Sequence, residues 1–303
     1  MEDSLKLPRH DRYDYVPLPQ RAVYDWPGQR RLAFTITINI EWFAFGVGNG
    51  HDPGDASEPQ TQRNYAWRDY GNRVGIWRLF DLLDELGLPA GHAINSLLCR
   101  EAPLIVDTAL RRCDELVSDG RTKAENLRGL WPADEARMLR EVTETITRHA
   151  GTAPRGWMGA AAYETAHTPD LLKELGYTYL MDWPMDDQPV WMRTRSGPIL
   201  VVPYPVEIDD AQGLIHRKWS TGAFCDAIVG QFDEMVEKCV QRPLVMNVSA
   251  HPNVFGQPFR VRALRRALQH CLDHPLAGRV WWCRPGDIAA HCATLPQGTM
   301  PGR

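Results

Sequence analysis

RLAFTITINIEWFAF, residues 31–45, is the stretch that decides the fold of this chain. Its residues alternate between two sets, with Ala33, Thr35, Thr37 and Asn39 in one and Phe34, Ile36, Ile38 and Ile40 in the other. A period of two with many β-branched residues is typical of a β-strand. Residues 46–59, rich in Gly, Asp and Pro, are predicted to form a loop. Glu41 therefore stands at the carboxyl end of a predicted strand, where α/β barrels place their chemistry.

The rest of the chain alternates between helical and extended patterns. Apolar spacing with Pro and Gly signals predicts helices over residues 70–86, 103–117, 132–151, 168–176, 221–241 and 260–273. Short apolar runs predict strands over residues 91–98, 177–183, 198–206, 243–251 and 279–285. This rhythm favours a mainly parallel α/β sheet, and about seven β/α units favour a closed or nearly closed barrel.

One domain over residues 31–295 is expected, because no repeat or low-complexity linker interrupts the pattern. Residues 1–30, rich in Pro, Tyr and charge, are predicted to form an extended N-terminal arm. Such an arm can wrap a neighbouring subunit or cover its own core, and the sequence leaves both open.

Composition excludes several classes of function. The 34 basic and 38 acidic residues give a formal charge of −4, and the basic residues are scattered, so nucleic acid is not an expected partner. No apolar run approaches the roughly 18 to 20 residues that span a bilayer, and the N-terminus lacks a signal-peptide pattern. Seven widely spaced cysteines without a C-x-x-C pair fit reduced thiols. We therefore expect a cytoplasmic protein with a small-molecule substrate and no membrane partner.

Two strand ends carry candidate catalytic groups. Burial of Glu41 between Ile40 and Trp42 would raise its pKa and make it a general base, although it could instead cap the loop or pair with an arginine. His251 precedes Pro252 after an apolar strand and can give a proton to a leaving nitrogen or oxygen, or could merely hydrogen-bond the loop. The functional interpretation is favoured for both, because unpaired buried acids are costly and parallel strand ends converge.

Other polar and aromatic residues are candidates for substrate binding. Arg73, in YGNRVG, could clamp a carbonyl or carboxylate, or could form a structural salt bridge to Glu41 or Asp182. Glu164 could bind substrate or simply begin the next helix. Asp182 lies in an acidic loop that could seat a ligand. Three tryptophans beside these polar groups could line a pocket for a flat ligand, namely Trp42, Trp157 and Trp183.

Several segments, in their order and spacing, resemble the polysaccharide deacetylase superfamily. They include LAFTITINIEW, RDYGNRVGIWRLFDLLDELGLPA, RGWMG with YETAHTPDLLKELGYTYLMDW, DDQPVWM, VVPYPVEIDD and SAHPNVFGQPFRVRALRRAL leading to VWWCRPGDIAAH. Within it, the chain is most similar to the branch that contains metal-independent allantoinases and related cyclic imide hydrolases. The resemblance runs from about residue 31 to residue 291 and implies a distorted (β/α)7-type barrel.

The resemblance also implies where a metal would be held. In metal-dependent deacetylases the first strand ends in two aspartates, a base and a metal ligand, and a later H-x-x-x-H segment completes the site. Aligned with this chain, the aspartates fall at Glu41 and Trp42, and the histidines fall at Asn126 and Leu130. Trp42 and Leu130 cannot bind a cation and Asn126 is a weak zinc ligand, so no metal or other cofactor is expected. Zn²⁺ in a rearranged site is the alternative.

The resulting hypothesis is a hydrolase that opens a C–N bond in a small cyclic amide, imide or ureide. Glu41 would activate water and His251 would protonate the leaving nitrogen. Two alternatives stay open: a sugar N- or O-deacetylase with a rearranged metal site, and a non-catalytic ligand-binding protein. A homodimer or homotetramer is expected from the family. The residues expected to contact the substrate are Trp42, Arg73, Asn126, Trp157, Glu164, Asp182 and Trp183.

Overall fold

The first strand, β1 (Leu32–Ile40), pairs with three other strands in the computed structural model, which describes residues 10–46, 60–125 and 127–302. All of its residues are buried, so both faces of the strand are covered. Phe34 and its alternate neighbours pack against the surrounding helices, whereas Ala33 belongs to a second apolar cluster on the other face. The alternation in the sequence therefore separates the helix-facing side of β1 from the barrel interior.

Eight further strands complete the sheet. They are β2 (Gly91–Ile94), β3 (Glu115–Ser118), β4 (Gly156–Trp157), β5 (Tyr179–Leu180), β6 (Val190–Met192), β7 (Ile199–Val201), β8 (Leu244–Ala250) and β9 (Val280–Trp282). The order is β6-β7-β5-β4-β3-β2-β1-β8, with β9 paired to the start of β1. Every pair is parallel except β6 with β7.

The sheet curls so that its two ends approach each other. The chain that follows β7 reaches β8, where the backbone N–H of Ser249 donates to the carbonyl of Ile208 at 2.9 Å. A bridge between Asp209 and Ser249 continues this pairing. The predicted α/β barrel of the distorted type is thereby confirmed, and it brings the ends of β1 and β8 to one rim.

The helices lie outside the sheet. They are α1 (Gln62–Tyr70), α2 (Ile76–Leu86), α3 (Leu98–Glu101), α4 (Pro103–Arg111), α5 (Pro132–Ala150), α6 (Thr168–Glu174), α7 (Thr221–Lys238), α8 (Pro252–Phe255), α9 (Pro258–Asp273) and α10 (Pro285–Thr294). A π-helical turn, Gly71–Gly75, joins α1 to α2. The predicted stops at Gly87 and Gly151 are confirmed, since both adopt the left-handed conformation that glycine tolerates. No helix in the described ranges is long and apolar enough to cross a membrane.

Three short strands, β3, β4 and β6, were not predicted from the sequence. The helix predicted over residues 103–117 ends at Arg111, and β3 begins after a left-handed turn at Cys113. A strand as short as β3 carries too little alternation to stand out beside a helical pattern. The antiparallel β6 was not predicted for the same reason. The loop predicted over residues 46–59 lies, apart from Gly46, outside the described residues.

The described part of the N-terminal arm lies on its own barrel. Arg12 forms a two-pronged ion pair with Asp170 at 2.9 and 2.8 Å. Arg21 pairs with Asp186 at 2.6 and 2.5 Å, and Arg193 pairs with Asp14 at 2.7 Å. These described residues of the arm therefore contact the barrel of their own chain.

Candidate functional site

Glu41 lies at the rim of the barrel directly after β1. Its side chain is 13% exposed, and its Oε1 lies 3.1 Å from the Lys123 ammonium and 3.6 Å from Nε2 of His251. Burial by itself raises the pKa of Glu41, but Lys123 and His251 outweigh it and lower the pKa below its ordinary value. The expected raised pKa is therefore wrong. Glu41 is a paired carboxylate that is ionised at neutral pH.

His251 lies beside Glu41 at the end of β8 and is oriented by Asp210. Its Nδ1 is 2.6 Å from Oδ1 of Asp210, and its backbone N–H donates to Oδ2 of the same residue at 2.9 Å. Burial alone lowers the pKa of His251, whereas the charges of Asp210 and Glu41 raise it to about 10. The imidazole is therefore protonated at neutral pH, and Nε2 carries a proton towards Glu41.

Lys123 lines the same site and was not among the residues predicted from the sequence. Its Nζ lies 3.0 Å from Oδ2 of Asp119 and 3.1 Å from Glu41, so the ammonium sits between two buried carboxylates. The backbone N–H of Lys123 and the hydroxyl of Thr122 both donate to the carbonyl of Trp42, at 2.8 and 2.7 Å. These bonds hold the segment after β3 against the residue that follows Glu41.

The charges of this group depend on one another. Burial by itself lowers the pKa of Lys123, but Asp119 and Glu41 raise it above its ordinary value. Burial raises the pKa of Asp119 to about 7, although the Lys123 ammonium acts in the opposite direction. Asp119 has no exposed surface and ends β3. Because β3 was hidden within a predicted helix, its terminal carboxylate was not recognised as a strand-end candidate.

A cavity of about 560 Å³ opens over these residues. Glu41, Lys123 and His251 line it together with the buried guanidinium of Arg68. Arg68 stacks over the ring of Phe43, 3.7 Å from the ring centroid. Further polar side chains that line the cavity include Asn39, Asp182, Tyr204 and Asp209. The cavity has the size of a small-ligand site with convergent polar groups.

Comparisons with known proteins agree with this architecture, although no family model matches the chain. A Schizosaccharomyces pombe protein provisionally named a polysaccharide deacetylase is 24% identical over 275 residues, covering 81% of this chain and 86% of that protein. The crystal structure of PuuE allantoinase has a TM-score of 0.79 at 24% identity, covering 89% of this chain and 93% of that chain. A provisionally named polysaccharide deacetylase from Pseudomonas aeruginosa PAO1 has a TM-score of 0.77 at 25% identity, with coverages of 88% and 92%. The chain has the fold of the polysaccharide deacetylase superfamily.

Some polysaccharide deacetylases hold a metal ion, and in this chain the residues around Glu41 differ from a set of metal ligands. At the aligned second aspartate stands Trp42, whose backbone N–H donates to Oδ1 of Asn95 at 2.8 Å. The ammonium of Lys123 occupies the space between Glu41 and Asp119, and it repels a cation and has no lone pair to offer. These residues do not fit a metal ion.

His251 belongs to a second group of possible metal ligands, together with Asp209 and Asp210. Ligand atoms of Asp209, Asp210 and His251 lie within 4.8 Å of one another in the described part of the chain. They are already engaged, since Asp210 binds Nδ1 of His251 and Asp209 accepts from Ser249 at 2.6 Å. This group is a hydrogen-bonded support for the imidazole.

Of the two positions aligned with histidines, the structure describes one. Asn126 lies outside the described residues, and Leu130 lies at the surface beside a second cavity. Asp119 and Lys123 are separated by the same four positions as the histidines of H-x-x-x-H, and both reach the centre of the site. Asp119 and Lys123 are therefore the residues of this segment that the structure brings to Glu41.

Arg73 is not in the cavity. Its side chain is 75% exposed and pairs with Asp69 at 2.5 Å, so it neither clamps a ligand nor bridges to Glu41 or Asp182. The reason is geometrical, because Arg73 points outward from the π-helical turn while Arg68, one turn earlier on α1, points inward. Both interpretations of Arg73 are wrong, and Arg68 is the arginine of the site.

Trp42, Trp157 and Trp183 do not line the main cavity. Trp157 is fully buried at the end of β4 and borders the second cavity, of about 360 Å³. Trp42 packs partly buried against the core, beside a small crevice rather than in the main cavity. The ring of Trp183 lies under the arm, 6.0 Å from Tyr13. The expected flat aromatic pocket is therefore not formed by these three residues.

Asp182 and Glu164 form a buried pair of carboxyl groups. Asp182 lines the cavity and its Oδ1 accepts from the backbone of Gly159 at 2.7 Å. Glu164 stands behind it and accepts from Nε1 of Trp183 at 2.8 Å. Burial, and then the neighbouring carboxyl, raise the pKa of Asp182 well above its ordinary value, and burial raises that of Glu164. Protonation of this pair is therefore favoured relative to that of isolated carboxyl groups.

Proposed function

We propose that this chain hydrolyses a C–N bond in a small cyclic amide, imide or ureide without a metal ion. The observation that carries the proposal is the Lys123 ammonium, held between Glu41 and Asp119 beside His251. A fixed cation of the chain itself therefore lies beside the proposed base, where it can supply positive charge to the reaction. The proposal is also supported by the structural neighbour named an allantoinase, whose name denotes a cyclic ureide substrate.

The proposed reaction begins with water held at Glu41. The water oxygen attacks the ring carbonyl carbon while Glu41 takes a proton, and a tetrahedral intermediate forms. The C–N bond then breaks as Nε2 of His251 gives its proton to the leaving nitrogen, which yields a carboxylic acid and an amine or amide. Glu41 returns its proton to His251 across the 3.6 Å gap, directly or through water. General acid–base catalysis of this kind contributes about 10² to 10⁴-fold.

Two cations can stabilise the developing oxyanion. Two of the three N–H bonds of Lys123 go to Glu41 and Asp119, which leaves the third for a substrate oxygen in the cavity. The Arg68 guanidinium lines the same cavity. A well-placed donor of this type is worth about 10² to 10³-fold. Because the lowered pKa makes Glu41 a weak base, the substrate should have an activated carbonyl, as imides and ureides do.

The test uses purified protein, a metal analysis, and a panel of allantoin, hydantoin, succinimide and acetylated sugars. We expect a ring to be opened at a rate that chelator treatment does not change. Glu41→Gln should reduce kcat by about 10² to 10⁴-fold, and Lys123→Met should reduce it by about 10² to 10³-fold. Lys238→Met, on the exposed end of α7, is the control for loss of a lysine.

Each rival outcome has its own signature. Deacetylation of a sugar that disappears with chelator and returns with Zn²⁺ would replace the proposal by a deacetylase with a rearranged site. Tight binding of a ring without any turnover would indicate a non-catalytic member of the fold. Full activity of Glu41→Gln would refute the assigned base.

A further inference from the structure

Asn39 lies on the cavity wall, two residues before Glu41 on the same face of the chain. Its side-chain nitrogen donates to Oγ of Ser249 at 2.9 Å and to the hydroxyl of Tyr204 at 3.1 Å. Its side-chain oxygen, Oδ1, is buried and has no hydrogen-bond partner among the described residues. The amide is therefore anchored on one side and unsatisfied on the other.

The neighbouring hydroxyls determine which way this amide faces. Ser249 and Tyr204 lie 2.6 and 3.0 Å from Oδ2 of Asp209 and 2.5 Å from each other, so these three groups share the two hydroxyl hydrogens among themselves. Each hydroxyl has a single hydrogen, so the oxygens of Ser249 and Tyr204 are left as acceptors towards Asn39. The reversed amide would place an oxygen against two acceptors. Oδ1 must therefore be the free atom.

We propose that Oδ1 of Asn39 accepts a hydrogen bond from a ring N–H of the substrate, so that the site selects cyclic ureides or imides with an unsubstituted nitrogen. The inference rests on the proposed function and names the substrate class of the same cavity. A buried acceptor without a partner is costly, and a bound ring that supplies an N–H removes the cost. Lys123 and Arg68 are donors on the same wall, so the cavity offers both an acceptor and donors to a group that contains N–H and C=O.

Asn247 provides a matched control inside the same barrel. It is also a buried amide whose Oδ1 has no hydrogen-bond partner in the described ranges, and its nitrogen donates to Thr37 at 3.1 Å. Unlike Asn39, it does not border the cavity. If the unpartnered oxygen matters only for internal water or for folding, the two asparagines should behave alike.

The experiment compares hydantoin with 1-methylhydantoin and 3-methylhydantoin. Binding is measured by calorimetry to the Glu41→Gln variant, which removes turnover from the comparison, and kcat/KM is measured with the parent enzyme. We expect at least one methyl group to weaken binding by about 10²-fold or more, because a site built for a hydrogen bond rejects analogues that lack it. Asn39→Ala in the same background should reduce that penalty to about threefold, since the acceptor is gone and the methyl group has room.

The control and the second variant keep the result decisive. Asn247→Ala should retain the full penalty of methylation. If thermal unfolding shows that Asn39→Ala is not folded, Asn39→Ser is measured instead. The serine hydroxyl keeps a polar group beside Ser249 and Tyr204. An equal methylation penalty with and without Asn39 would overturn the inference, and so would failure of hydantoin, succinimide and allantoin to bind. Discrimination in binding without turnover of any ring would leave the inference standing and remove the proposed hydrolysis.

Discussion

Lys123, Glu41 and His251 form a compact ionic centre in which each group changes the others. A carboxylate buried without a partner is strongly disfavoured, and here Glu41 has a cation on each side. Removing Lys123 would leave Glu41 and Asp119 as two neighbouring buried carboxyls and would raise both pKa values. Since Glu41 is proposed as the base and His251 as the acid, their opposite pKa shifts define the working pH range.

We expect the Asp210→Asn variant to lose activity on the alkaline side at lower pH than the parent. The protonated form of His251 exists below its pKa of about 10, and the Asp210 charge is a main cause of that high value. Without the charge, the alkaline limb of kcat/KM should move down by about one pH unit or more. The measurement is a pH–rate profile with the substrate found in the panel.

The control for this pH shift is Asp233→Asn. Asp233 also pairs with a histidine, His270, at 2.8 Å, but that pair is exposed and lies away from the cavity. Its profile should match that of the parent. An unchanged alkaline limb in Asp210→Asn would mean that His251 does not supply the proton.

At the scale of elements, the packing of the π-helical turn on α8 positions His251. A Cβ added at Gly71 would lie 2.7 Å from the backbone nitrogen of Asn253. A Cβ added at Gly75 would overlap the carbonyl of Pro252, the residue directly after His251. The motif YGNRVG thus serves close contact between backbones rather than charge, which explains why its arginine points to solvent.

Gly75→Ala should destabilise the protein and impair catalysis together. Overpacking of this kind costs about 1 to 3 kcal/mol, and the displaced backbone carries the imidazole away from Glu41. Gly230→Ala, inside α7 with open space around it, should stabilise the protein by up to about 1 kcal/mol because alanine favours a helix. Denaturant unfolding and kcat report the two effects, and equal behaviour of the two variants would contradict the packing argument.

At the scale of the whole molecule, the arm fastens the wall that carries the Asp182–Glu164 pair. Arg12 binds Asp170 and also donates to the carbonyl of Ala166 at 2.6 Å. The arm thus holds the segment between Glu164 and Asp170, and Tyr13 covers Trp183. Residues remote in sequence from the catalytic groups are therefore part of the cavity's support.

Arg12→Ala should lower the free energy of unfolding by about 1 to 3 kcal/mol. The variant removes the guanidinium that pairs with the largely buried carboxylate of Asp170. Arg265→Ala, which breaks an exposed pair with Glu85, should cost less than about 1 kcal/mol. Unfolding curves at two protein concentrations check both values. If the loss for Arg12→Ala depended on concentration, the arm would be serving a neighbouring subunit rather than its own barrel.

The amino-acid sequence alone was sufficient to predict the elements whose pattern is local and long. The alternation in β1, the apolar strand β8, the caps of α5 and the superfamily fold were all predicted, and the convergence of Glu41 and His251 followed from the rule that parallel strand ends meet. These features depend on periodicity and on topology, which residues next to one another in the chain encode.

The tertiary structure alone decided which charges meet. Lys123 reaches Glu41 because the sheet places β3 close to β1, with only β2 between them. The short β3 gives no clear local pattern, and Lys123 is far from Glu41 in the sequence. The choice of Arg68 over Arg73, the lowered pKa of Glu41 and the orientation of Asn39 likewise arise from partners on other strands and helices. Electrostatic and hydrogen-bond effects depend on distances in space, and folding sets those distances.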